Sequence, residues 1–280
     1  ALGMYDESIE LANNAIASSG EGNQFANRIT GSESNNTIYG WSGNDTIDGR
    51  GGDDRIHGGD GRDIVQGGGG KDTIDGDKGD DLLNGGNGND VVNGGAGVDL
   101  PFGGDDNDVL SGGTEADGLY GDSGHDTMDG GDGKDTLSGS GGNDRLYGDF
   151  GNDSLLGGDG DDIIDGGYGN DTARGGAGND VYYVNAVTDL VIESAGQGND
   201  QIQTGLSKYT LGANVEGLRA LSANPFFGTG NELDNVIHGN DGNDTIWGLS
   251  GEISSMARRA TTSSPETPAT TRSRAAPAPT

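Results

Sequence analysis

A period of nine governs this chain. Sixteen consecutive nine-residue blocks run from Gly40 to Tyr183 without a gap, each built as Gly-x-x-Gly-x-Asp-x-apolar-x. Nine residues per repeat fit neither the 3.6-residue helix nor the simple alternation of a sheet, but they fit a coil that stacks one supersecondary unit on the next. The first position is Gly in every block, from Gly40 to Gly175. The sixth is Asp in every block: Asp45, Asp54, Asp63, Asp72, Asp81, Asp90, Asp99, Asp108, Asp117, Asp126, Asp135, Asp144, Asp153, Asp162, Asp171 and Asp180. The fourth is Gly except at Asp106 and Glu115, and the eighth is apolar throughout apart from Pro101.

Each fixed position has a physical task. Glycines at positions one and four allow positive φ and close approach of backbone to a ligand. An aspartate among them sets a hard carboxylate oxygen beside exposed carbonyls, the donor set a calcium ion favours. Asp also serves turns by hydrogen-bonding its own backbone, but sixteen occurrences in sixteen blocks exceed what turn chemistry needs. The x-apolar-x that follows predicts a three-residue strand with one inward side chain. Two blocks then complete one circuit of a flattened coil, and residues eighteen apart stack at about 4.8 Å.

Segments such as Gly85-Gly-Asn-Gly-Asn-Asp-Val-Val-Asn93 and Gly157-Gly-Asp-Gly-Asp-Asp-Ile-Ile-Asp165 resemble the RTX (repeat-in-toxin) nonapeptide. The resemblance covers more than half of the 280 residues. It implies an all-β fold, a right-handed parallel β-roll (a β-solenoid), with several Ca²⁺ ions between successive turn loops. It also implies export by a type I secretion apparatus, an extracellular location and folding only outside the cell. The sixteen aspartates, with Asp244 from a later block, are the expected metal ligands. The family includes metalloproteases, lipases, epimerases and cytolysins whose active domains precede such repeats. A surface or matrix contact would belong to the parent protein.

Composition agrees. The formal charge is −32, with 59 glycines and only 29% hydrophobic residues. Such a chain buries too little apolar surface to offset its backbone entropy, so without metal it is expected to be disordered. Acidity argues against nucleic acid, whose phosphates need Lys and Arg. There is no cysteine, and no apolar run approaches the length of a membrane span. No secretory leader is recognised at Ala1.

The repeat array is bounded on both sides. Residues 1–39 read as the end of a preceding long unit with a degenerate repeat, and 40–183 as the calcium-binding roll. Within it, 94–120 is expected to be a weak point with looser sites at Asp99, Asp108 and Asp117, and a kink at Pro101, which cannot donate a ladder hydrogen bond. Residues 184–229 are richer in β-forming residues and read as a cap or spacer. Residues 230–251 restart the nonapeptide and align with 22–43, 208 residues earlier. The 252–280 stretch loses Gly and Asp abruptly. Codons for Pro265-Glu-Thr-Pro-Ala-Thr-Thr271, read one nucleotide out of register, can spell Gly-Asp-Ala-Gly-Asn-Asp, so a disordered, out-of-frame tail is expected there.

The remaining candidates are weaker. His57, His125 and His238 lack a His-Glu-x-x-His or Cys partners, and read as surface residues rather than zinc ligands. Gly67-Gly-Gly-Gly-Lys-Asp72 lacks the Ser or Thr of a phosphate loop. Trp41 and Trp247 read as turn-edge packing. Nothing in the sequence supplies a nucleophile or an acid–base pair, so the module is read as structural and not as an enzyme.

Overall fold

The computed structural model describes residues 8–11, 18–249, 251–256, 260–262 and 272–273, and its architecture is a parallel β-roll. All regular structure among the described residues is strand, so no helix there is long and apolar enough to cross a membrane. One wall carries strands such as Arg55–Asp60, Thr73–Lys78 and Val91–Ala96, and the other carries Ile64–Gly69, Leu82–Asn87 and Leu100–Asp105. Successive strands of a wall pair in parallel at a shift of eighteen residues, as in Ile56 opposite Ile74 and Val65 opposite Leu83.

The strands are longer than the expected three residues. Thr73–Lys78 takes positions seven to nine of one block and one to three of the next. The glycines stack turn on turn as regularly as the apolar residues do, so their backbone groups continue the ladder. Each block also turns two side chains inward, not one. The eighth-position residues (Ile38, Ile56, Ile74, Leu110, Leu119, Leu137) are fully buried. The sixth-position aspartates are buried beside them, with at most 4% of their surface exposed.

The array is longer than sixteen blocks. Residues 22–30 and 31–39 already occupy the roll, Ile29 lying opposite Ile47 and Ile38 opposite Ile56. They carry Asn27 and Asn36 at the sixth position. Downstream, 184–229 continues the coil but loses its constant pitch. Gln201 lies opposite Val181, Gly217 opposite Gln201, and Val236 opposite Gly217, shifts of 20, 16 and 19 residues. One wall runs unbroken through this stretch. The other ends at Leu190–Val191 and resumes as a separate four-stranded sheet beginning at Lys208–Thr210.

Two expectations need correction. No kink divides the roll at Pro101: its ring is buried opposite Leu83, and the eighteen-residue register continues on both sides. The ladder onward to strand Gly118–Ser123 begins only at Phe102, as a missing N–H requires. Nor does order stop at residue 251. Ile253–Met256 pairs with Asn235–His238, and Ile253 is buried in the core. Ile253 stands eighteen residues after Asn235 and lies opposite it, so the wall continues through it. The rest of the suspected out-of-frame stretch lies largely outside the described residues.

The 94–120 stretch carries local backbone cost instead of a bend. Asp106 and Glu115, which replace the fourth glycine, adopt φ of 79° and 77°. A left-handed conformation costs a non-glycine residue roughly 1–2 kcal/mol. One hydrogen bond there is also long, Gly97 N–H reaching the Thr114 carbonyl at 3.4 Å while it donates to Glu115 Oε2 at 3.0 Å, against 2.8 Å for Gly79 to Ala96. Glu115→Gly is therefore expected to stabilise the calcium-loaded roll by roughly 1 kcal/mol, read as a raised midpoint in urea. An unchanged midpoint would show that the strain is absorbed elsewhere.

Candidate metal centre

The aspartate columns form two continuous hydrogen-bond ladders, one along each edge of the roll. From Asp45 to Asp171 each sixth-position amide donates to the carboxylate eighteen residues ahead. Asp45 N–H bonds Asp63 Oδ1 at 2.7 Å, Asp63 bonds Asp81 at 2.7 Å, and Asp81 bonds Asp99 at 2.8 Å. On the other edge Asp108 bonds Asp126, Asp126 bonds Asp144 and Asp144 bonds Asp162, all at 2.8 Å. The ladder passes undisturbed through Asp99, Asp108 and Asp117.

This pattern uses one oxygen of each carboxylate and strands the other. In all sixteen array aspartates, Asp45 through Asp180, Oδ2 is buried and has no hydrogen-bond partner. A buried carboxylate oxygen without a partner is strongly disfavoured. Burial raises the carboxyls of Asp45, Asp81, Asp108, Asp126 and Asp162 to about 7, and those of Asp63, Asp72, Asp99 and Asp180 to about 6. The accepted backbone N–H opposes the shift without cancelling it, and for Asp126 and Asp162 the carboxylates of neighbouring turns add to it. Like charges about 4.8 Å apart repel by roughly 3–4 kcal/mol at an effective dielectric of 20.

The stranded oxygen faces a cradle. A methyl group added to Gly94 would lie 2.6 Å from Asp99 Oδ2 and 2.6 Å from the carbonyl oxygen of Gly112, one full turn ahead. Gly58 is built alike, between Asp63 Oδ2 and the Gly76 carbonyl. Neither glycine has positive φ, so these first positions need glycine for space and not for backbone freedom. Carboxylate and carbonyl oxygens from consecutive turns thus converge over a glycine whose position leaves no room for a side chain. An oxygen-only donor set of this kind suits a hard divalent cation such as Ca²⁺.

The structure separates Asp244 from the other candidates. It is buried and its Oδ1 accepts the Phe226 amide, but its Oδ2 accepts the Asn240 N–H at 2.9 Å and is not stranded. Asn27, Asn36 and Asn235 hold the sixth position with a neutral amide. Asn36 Nδ2 donates to Ser18 Oγ and Ser32 Oγ, where a carboxylate could only accept. Asp200 escaped the sequence reading. It is buried, its Oδ1 accepts the Asp180 amide at 3.0 Å, and burial raises its carboxyl to about 7. The signal was present as Gly196-Gln-Gly-Asn-Asp200-Gln-Ile202, but it follows Asp180 by twenty residues, and Ala195 stands at its first position.

The histidines and tryptophans are surface features of the walls. His57 stacks on Tyr39 with ring centroids 5.0 Å apart, and its Nδ1 lies 3.5 Å from Asp77 and 3.8 Å from Asp75. His125 Nδ1 accepts the Asn143 amide. Trp41 is mostly exposed and tilted against Tyr39, and Trp247 meets Phe227 edge-on.

A family model described as the RTX calcium-binding nonapeptide repeat (4 copies) matches overlapping segments that together span residues 21–191, and again residues 229–252. An endo-1,3-1,4-beta-glycanase, ExsH, of Rhizobium meliloti (strain 1021) is 42% identical over 66 residues. That match covers 24% of this chain and 14% of the glycanase, so the chain spans a small part of that relative's length.

Proposed function

Since the chain belongs to the RTX calcium-binding nonapeptide repeat family, we propose that it is a secreted structural module whose folding is driven by extracellular Ca²⁺. The observation that carries this reading is the run of sixteen buried Oδ2 atoms without partners. Each of Asp45, Asp54, Asp63, Asp72, Asp81, Asp90, Asp99, Asp108, Asp117, Asp126, Asp135, Asp144, Asp153, Asp162, Asp171 and Asp180 would offer that oxygen, and the first-position glycines would offer carbonyls. Bound calcium supplies positive charge between the columns and so turns their repulsion into attraction. The chain's own part is to set the oxygens at one pitch and to leave room between them. Affinity is expected on the order of 10⁻⁴ to 10⁻³ M, as in extracellular modules, so that cytosolic calcium leaves the chain unfolded for type I export.

Counting ions in the loaded protein by native mass spectrometry tests the proposal. The wild-type chain is expected to bind many calcium ions. Gly94→Ala, whose added methyl would press on Asp99 Oδ2 and the Gly112 carbonyl oxygen at 2.6 Å, is expected to bind fewer and to need more calcium for half-folding. A wild-type chain carrying no more than one ion would overturn the proposal.

A second reading is favoured by the partial match to the glycanase. There the roll is the secretion and folding module of an RTX enzyme or toxin whose active domain lies outside these residues. The reading frame upstream of Ala1 separates the two: a catalytic domain there supports the enzyme, and further copies of the 208-residue unit support a calcium-stiffened adhesin.

A further inference from the structure

Where the array passes into the variable-pitch coil, three buried carboxylates meet. Asp180, Glu193 and Asp200 each place an oxygen within 4.8 Å of the others, and all three are more than nine-tenths buried. Glu193 stands eighteen residues after Gly175, one full turn on, at the register position where the array would place the first-position glycine stacked on it. Two extra residues then separate it from Asp200, which accounts for the twenty-residue step from Asp180.

The hydrogen bonds around Glu193 serve one of its oxygens. Oε1 accepts the Tyr182 hydroxyl and the Gly175 amide. The Glu193 backbone is held by Asn214 Nδ2 at 2.9 Å. Oε2 is buried with no partner, as is Asp180 Oδ2. Three buried carboxylates, two of them with a stranded oxygen, thus lie together with a formal charge of −3. Ligands held 2.3–2.6 Å from one ion lie no more than about 5 Å apart, and one oxygen from each of the three carboxylates meets that limit.

We propose that Asp180, Glu193 and Asp200 form a terminal calcium site that shares Asp180 with the end of the array and is completed by a glutamate outside the nonapeptide motif. The proposal rests on the calcium reading of the array. A repeat site draws on aspartates from neighbouring turns, whereas this one adds a third carboxylate, which favours tighter binding. Tyr182 is a positioning residue: its ring fills the core and its hydroxyl holds Oε1, leaving Oε2 for the ion.

Native mass spectrometry of the full chain with calcium alone separates the outcomes. Glu193→Gln is expected to carry one ion fewer than wild type while keeping the array ions, and Tyr182→Phe is expected to keep the wild-type count. Equal counts in wild type and Glu193→Gln would overturn the terminal site but leave the array reading intact. A wild-type chain with no calcium would overturn both. Should Glu193→Gln fail to fold, terbium-soaked crystals of the wild type decide: an anomalous peak among the three carboxylates supports the site, and its absence beside occupied array positions overturns it.

Discussion

In a calcium chelator at pH 7.5 the chain is expected to lose its β-sheet circular dichroism and expand to coil dimensions, and to regain both on addition of millimolar calcium. The effect is expected to be near total because the opposing terms are large and repeated. Each turn brings two more buried carboxylates next to their predecessors, at roughly 3–4 kcal/mol of repulsion per neighbouring pair. The apolar contribution per turn is two side chains such as Ile74 and Leu83, at about 1.5–3 kcal/mol each. That gain must also offset the ordering of eighteen residues of glycine-rich backbone. Identical spectra in chelator and in calcium would mean that the stranded oxygens are satisfied in some other way. The calcium-driven reading would then fail.

Acid is expected to replace the metal in part. Burial raises the array carboxyls, those of Asp45 and Asp108 to about 7 and those of Asp63 and Asp180 to about 6, above the value near 4 of an unfolded chain, so between these values the folded state binds more protons. Stability without calcium therefore rises as pH falls and is lost as pH rises through the folded values. Lowering the pH from 7.5 to about 4 in chelator should restore β structure to a measurable extent. Calcium affinity should move the opposite way, weakening below about pH 6 as protons compete for the same oxygens. A chelated chain equally unfolded at pH 4 and pH 7.5 would show that neutralising the columns is not sufficient.

Much of this architecture is legible in the nine-residue period. Gly at position one, Asp at six and an apolar residue at eight fix the eighteen-residue pitch and the inward aliphatic column. The strand length is less visible, because Gly-Gly-x has poor β propensity and joins the ladder only once its neighbours stack. The aspartate's inward orientation, with one oxygen paired and the other stranded, follows from three-dimensional stacking. No property of a single block announces it. Asp200 was hidden by two inserted residues and an alanine, and Glu193 by standing where a glycine was expected. Pro101 misled in the other direction. A proline removes one donor, but the turns above and below still hold the register, so the missing bond produces no kink.

The interrupted wall near residues 190–208 has a mechanical corollary. Elsewhere two seams of parallel strands share any axial load, but at that level only one seam is continuous. A pulled or flexed filament of this kind would yield there first, bending toward the intact side as a rod does at a notch.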